Sequence, residues 1–197
     1  MSNDGANTSR RTILIGLTSA VGAAGVVGAA VPFVKSWQPS ARAEAAGAPV
    51  EIDISKMEPG QRVARQWRGR PIWVLRRTPE MLEGLKKLAD EEVLADPASE
   101  NIEQQPEYVR NEYRSIRPEI MVMVGNCTHL GCLPNYETRP TSRLKYGGFF
   151  CPCHNSMFDL AGRVYRNVPA PTNMVVPPHS YLSDSVIIIG SEEGETA

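Results

Sequence analysis

Cys127-Thr128-His129-Leu130-Gly131-Cys132 and Cys151-Pro152-Cys153-His154-Asn155-Ser156 are the two stretches on which the reading of this chain turns. Together they hold all four cysteines and two of the three histidines. A Cys-x-His pair in the first box and a Cys-x-x-His pair in the second supply two thiolates and two imidazoles. This donor set suits a 2Fe-2S cluster with cysteine on one iron and histidine on the other. The same four donors could close a tetrahedral structural zinc site. Zinc, however, is the reading for a Cys-x-x-Cys with a His-x-x-x-His. Here each box mixes both residue types and carries one further cysteine, Cys132 and Cys153.

These boxes resemble those of the Rieske iron–sulfur family, and specifically its membrane-anchored branch in bacterial ubiquinol-cytochrome c reductases, the cytochrome bc complexes. The resemblance implies one Rieske-type 2Fe-2S cluster, with Cys127 and Cys151 on one iron and His129 and His154 on the other. It also implies a disulfide between Cys132 and Cys153, a pair that soluble Rieske ferredoxins and oxygenases usually lack. His154 is then the catalytic ligand that meets the quinol hydroxyl, with His129 beside it. Ser156 donates a hydrogen bond to a bridging sulfide, and Leu130 with Pro169 and Pro171 of Val168-Pro169-Ala170-Pro171 shields the cluster. The implied partners are cytochrome b, a c-type cytochrome and quinol, in a dimeric multi-subunit complex. The implied fold is an all-β Rieske domain: an antiparallel base fold with one helix-loop insertion, carrying a small cluster-binding subdomain at about 120–172. Two positions depart from the family pattern. Asn155 stands where glycine is usual, and Phe158 where many members have a tyrosine that hydrogen-bonds a ligand sulfur. Asn tolerates positive φ, so the turn should survive, whereas Phe cannot donate that bond.

With 197 residues, 42% of them apolar, the chain can build one packed domain plus an appendage. Its 21 basic and 22 acidic residues nearly cancel, and no basic run is dense enough to suggest a nucleic-acid partner. A stable disulfide requires an oxidising compartment, in a bacterium the periplasmic side.

The N-terminus points to the same place. Ser9-Arg10-Arg11-Thr12-Ile13-Leu14 resembles a twin-arginine export signal. From Thr12 to Val34 no charged residue occurs, a run long enough at about 1.5 Å per residue to cross a bilayer. The expected organisation is a cytoplasmic tail over 1–11, a transmembrane anchor over 12–34, a flexible hinge over 35–49 and a periplasmic domain over 50–197. The arginines ahead of the run set this single-pass inner-membrane orientation. Ala41-Arg42-Ala43 and Ala43-Glu44-Ala45 resemble cleavage sites but lie well beyond the apolar run. Ala20, Ala24 and Gly28 recur every four positions, a face suited to close helix packing.

The hinge is alanine-rich and bounded by prolines, and would reach roughly 46 Å extended or roughly 21 Å as a helix. Beyond it, strands are expected over 50–54, 61–66, 71–77, 120–124, 144–150, 173–176 and 185–189. Thr78-Pro79 reads as the cap and first residue of a helix with Met81, Leu82, Leu85 and Leu88 on one stripe. The acidic, proline-punctuated 90–107 is expected to be an exposed loop, and His179 a surface residue.

These readings point to the electron-transfer subunit of a quinol–cytochrome c oxidoreductase, taking an electron from quinol with proton transfer at a ligand histidine. The small Rieske subunit of another exported oxidoreductase, such as arsenite oxidase, is the alternative, and a freestanding electron carrier the third.

Overall fold

The computed structural model describes residues 4–191; residues 1–3 of the expected tail and 192–197 of the expected domain lie outside the described residues. The chain divides into two units, 1–45 and 46–197.

The first unit is dominated by helix α1 (Asp4–Ser36). Within it, Asn7–Ser36 is long and apolar enough to cross a membrane, with Ile13, Leu14, Val26 and Phe33 all exposed. The helix starts upstream of the twin-arginine pair, because nothing in 4–11 breaks it. Part of the expected hinge is helical too. Helix α2 (Ala41–Gly47) begins after Ser40, whose hydroxyl accepts the Ala43 amide at 3.2 Å.

The second unit is built from three antiparallel three-stranded sheets. They contain β1 (Val50–Asp53), β2 (Arg62–Trp67), β3 (Arg70–Arg76), β4 (Ile120–Val124), β5 (Asn135–Glu137), β6 (Gly148–Cys151), β7 (Ser156–Phe158), β8 (His179–Ser183) and β9 (Val186–Ile189). The strand orders are β1-β9-β8, β2-β3-β4 and β5-β6-β7.

The middle sheet separates two apolar cores. Alternate side chains of a strand point to opposite faces. Ile72, Val74, Val122 and Val124 therefore join Ile52, Trp67, Ile187 and Ile189 on one side. Trp73, Leu75, Met121 and Met123 join Phe149, Phe158, Leu160 and Met174 on the other. Burial on both faces explains why β4 reads as an unbroken apolar run. Cys127 and Cys151 belong to the second core.

Helix α3 (Pro79–Asp90) forms as the sequence implies. Thr78 Oγ1 accepts the Met81 amide at 3.3 Å, Pro79 follows the cap, and Met81, Leu85 and Leu88 are buried. Such a cap contributes about 1 kcal/mol.

Several expectations are corrected. No strand forms at 173–176: the Met174 amide donates to Gly162, the Val176 amide to Gln104, and the Val175 carbonyl accepts from Val124. Bonds to three separate segments make a crossroads, not a ladder. β6 starts at Gly148 because Gly147 has φ 76, incompatible with a continuous strand from 144. The 90–107 segment is no exposed loop throughout. Leu94, Ser99 and Gln105 are buried, Leu94 bridges Tyr165, and short 3-10 turns occupy Ile102–Gln104 and Glu107–Val109. His179 is only 1% exposed, with its amide donating to the Tyr108 hydroxyl at 2.9 Å.

Candidate metal centre

The first box leaves β4 through Gly125, where a Cβ would run into the Trp73 ring. The loop then closes on itself. The Cys127 amide donates to the Cys132 carbonyl at 2.8 Å, the Gly131 amide to Cys127 at 2.9 Å, and the Asn126 side chain to Gly131 at 2.8 Å. Gly131 takes φ 80, which its missing Cβ permits.

The second box is the tight connection of the β6–β7 hairpin. Cys151 pairs with Ser156 in the register, and the Asn155 amide returns to the Cys151 carbonyl at 3.0 Å. Asn155 adopts φ 62, so it fills the left-handed position that glycine usually takes.

A third segment covers the two loops. The Ala170 amide donates to the Ser156 hydroxyl oxygen at 3.0 Å, and the Thr128 hydroxyl donates to the Thr172 carbonyl at 2.7 Å. Thr128 and Thr172 gave no sequence signal, since the two meet only once the loops are folded. Pro169 and Pro171 are exposed and Ala170 buried. Leu130, at 71% exposed, projects from the first loop.

Cys132 and Cys153 form a disulfide that ties the two loops. Cys127 and Cys151 are free and 2% exposed. The His129 and His154 rings meet edge to face, with centroids 4.8 Å apart and planes at 88°. His154 is exposed and His129 half-buried, yet His129 Nδ1 is buried without a hydrogen-bond partner. An orphaned ring nitrogen of this kind is costly unless it binds something.

Burial pushes the Cys127 thiol up, and the neighbouring Cys151 adds to this. The His129 amide and Ser156 hydroxyl oppose it. A buried pair of thiols favours the neutral form until a cation is present to hold the thiolates. Another sulfur grouping, Cys132, Cys151 and Cys153 within 4.8 Å of one another, is no ligand set, because the disulfide consumes two of the three. Two buried free thiols, a facing histidine pair and an orphaned Nδ1 fit a 2Fe-2S group with mixed ligation. Phe158 is fully buried opposite Phe149 and packs in the core that contains both free cysteines.

An antiparallel domain that brings these groups to adjoining loops defines a small iron–sulfur protein. Residues 49–180 match the Rieske 2Fe-2S domain family, and residues 1–40 match the family described as Ubiquitinol-cytochrome C reductase Fe-S subunit TAT signal. The ubiquinol-cytochrome c reductase iron-sulfur subunit of Allochromatium vinosum is 55% identical over 98% of this chain and 94% of that protein. The subunit of the same name from Blastochloris viridis is 42% identical, covering 96% and 97%. A solved chain described as Hyperthermophilic respiratory Complex III is 28% identical, covering 88% of this chain and 98% of its own, with a TM-score of 0.47. The chain belongs to the Rieske family, in its branch of ubiquinol-cytochrome c reductase iron–sulfur subunits, and its cofactor is one Rieske-type 2Fe-2S cluster. Its single apolar N-terminal helix among the described residues, together with the matching export-signal segment, fits a membrane-anchored subunit.

Proposed function

We propose that this chain carries single electrons from a quinol to a c-type cytochrome, within a complex that also contains cytochrome b. The observation that carries the reading is the asymmetry of the site. Both free thiols are buried, whereas His154 is exposed and Leu130 projects beside the histidine pair.

In this reading Cys127 and Cys151 hold one iron and His129 and His154 the other. Bound there, the group supplies a one-electron acceptor of raised potential, because neutral imidazoles replace two anionic thiolates. The exposed His154 imidazole meets the quinol hydroxyl and takes its proton, with His129 alongside. A site that becomes more negative favours a protonated imidazole, so the two uptakes are coupled. Leu130, Pro169 and Pro171 keep water from the site, and Leu130 docks on cytochrome b. The disulfide Cys132–Cys153 keeps the loops together. Residues 12–34 anchor the chain with its N-terminus in the cytoplasm, 35–49 act as the hinge, and 50–197 work in the periplasm, in a dimeric assembly.

The near full-length relatives support this reading over the small subunit of an arsenite oxidase. The test is purification of the chain from its native membrane. Co-purification with haem b and haem c subunits and quinol-dependent reduction of cytochrome c are expected, together with iron and acid-labile sulfide. Purification without those subunits, or stoichiometric zinc in place of iron, would overturn it.

A further inference from the structure

Around the turn that follows β7 lies a buried group of charges. Arg77, Arg114 and Arg163 are at most 2% exposed, and the one carboxylate buried to that degree among the described residues is Asp159. Three cations around one anion leave an excess of positive charge in the interior.

The group grips one turn of chain, 159–163. Asp159 pairs with Arg163, Nε to Oδ2 at 2.6 Å, and Asp159 Oδ1 accepts the Ala161 and Arg163 amides, each at 2.8 Å. Arg77 donates to the Tyr113 and Leu160 carbonyls and, at 2.6 Å, to the Ser115 hydroxyl. Arg114 donates to the Ala161 and Met174 carbonyls and to Gln105 Oε1. Arg163 also reaches the Leu85 carbonyl of α3 at 3.0 Å. Arg163 has its carboxylate partner, but the acceptors of Arg77 and Arg114 are all neutral, so these two guanidiniums are hydrogen-bonded without a direct counter-charge. Arg77 Nε and Arg114 Nε have no partner at all, and Arg114 sits at φ 49, a backbone strain the fold maintains. Burial lowers Arg77 and Arg114 to about 10, opposed by Asp159, so both stay cationic at neutral pH. The carboxylates acting from outside, Asp96 on Arg114 and Glu119 on Arg77, are partly or fully solvated.

The distance to the site follows from the hairpin. Ser156 pairs with Cys151, and Asp159 lies three residues further along, roughly 10 Å at strand spacing. Leu160, Ala161 and Met174, whose carbonyls the arginines grip, share one apolar core with Cys127 and Cys151. Buried apolar side chains fill that core, so salt screens the charges from the thiolates little.

We propose that Arg77, Arg114 and Arg163 are tuning residues, whose net buried positive charge, only partly offset by Asp159, stabilises the reduced, more negative state and so raises the cluster's reduction potential. The proposal rests on the cluster assignment above. None of the three arginines' hydrogen bonds goes to Cys127, His129, Cys151 or His154. Their effect is electrostatic, and the buried anion Asp159 acts with the opposite sign.

The test is a redox titration of the full-length holoprotein in detergent, followed by visible circular dichroism, with electron paramagnetic resonance confirming an intact cluster in each variant. Arg77→Met and Arg114→Met should each disfavour the reduced form on the order of tenfold, a downward shift of 59 mV for one electron. Arg77→Lys should hold the potential, and Asp159→Asn should raise it by a similar amount. Structural loosening would move the methionine and asparagine variants the same way; that result, or intact clusters with no shift, would overturn the proposal. Where a methionine variant does not fold, Asp159→Asn decides alone, since an unchanged or lowered potential contradicts the charge account. A wild-type protein lacking iron would instead sink the cluster assignment.

Discussion

The Ala170 amide donates to the Ser156 hydroxyl oxygen at 3.0 Å, and both residues are buried. This bond fastens the proline-bearing segment to the residue that pairs with Cys151. It also occupies a lone pair of the hydroxyl and leaves its proton for the sulfur side, where it favours the Cys127 thiolate.

Ser156→Ala should therefore act twice. Losing the donor should lower the reduction potential, and orphaning the Ala170 amide should cost about 1–3 kcal/mol. Redox titration and urea unfolding of the same holoprotein check the two effects. A potential unchanged from wild type would remove Ser156 from the tuning of the site.

Phe158 fills a position with no exposure, in the same buried core as Cys127 and Cys151. A hydroxyl added there would be a donor within the core that contains both free cysteines. Phe158→Tyr is expected to raise the potential while overpacking the core by about 1–3 kcal/mol. The two readouts are the midpoint and the melting temperature. A midpoint that stays put or falls refutes the donor account.

Asn155 at φ 62 makes a graded series possible. Glycine has no Cβ penalty there, so Asn155→Gly should stay within about 0.5 kcal/mol of wild type, whereas Asn155→Val should lose about 1–3 kcal/mol and shed iron faster. Equal stability of the two variants would show that the turn carries no strain.

His179 is buried, and its Nδ1 lies 2.8 Å from the Pro177 carbonyl, which can only accept; Nδ1 therefore carries the proton of a neutral ring. Burial holds its pKa below 6.5. The unfolded chain then binds more protons than the folded one in the window below 6.5. Stability from this residue is complete above that pH and is lost as pH falls through the window. Melting temperatures recorded from pH 7.5 to 5 should decline in wild type and decline less in His179→Gln. Parallel curves would exclude His179 as the source.

Much of the site was legible because its chemistry is local. The Cys-x-His and Cys-x-x-His spacings place each Cys/His pair within a single turn, and the apolar run 12–34 and the Thr78-Pro79 cap are likewise short-range patterns. The strands with strong side-chain patterns, β3 and β4, were readable for the same reason. The three-residue strands β5 and β7 carry too few side chains to show a period, and 173–176 looked like a strand because its residues are buried, although its hydrogen bonds go to three different segments.

By itself the sequence determined the two Cys/His boxes, the apolar run over 12–34 and the residues at 155 and 158. Only the tertiary structure decided which polar groups are inside. His179 and the three arginines look like surface residues in one dimension. They are buried because carbonyls from 85, 113, 160, 161, 174 and 177 converge on them, and such a convergence of distant backbone has no signature in the spacing of the residues it surrounds.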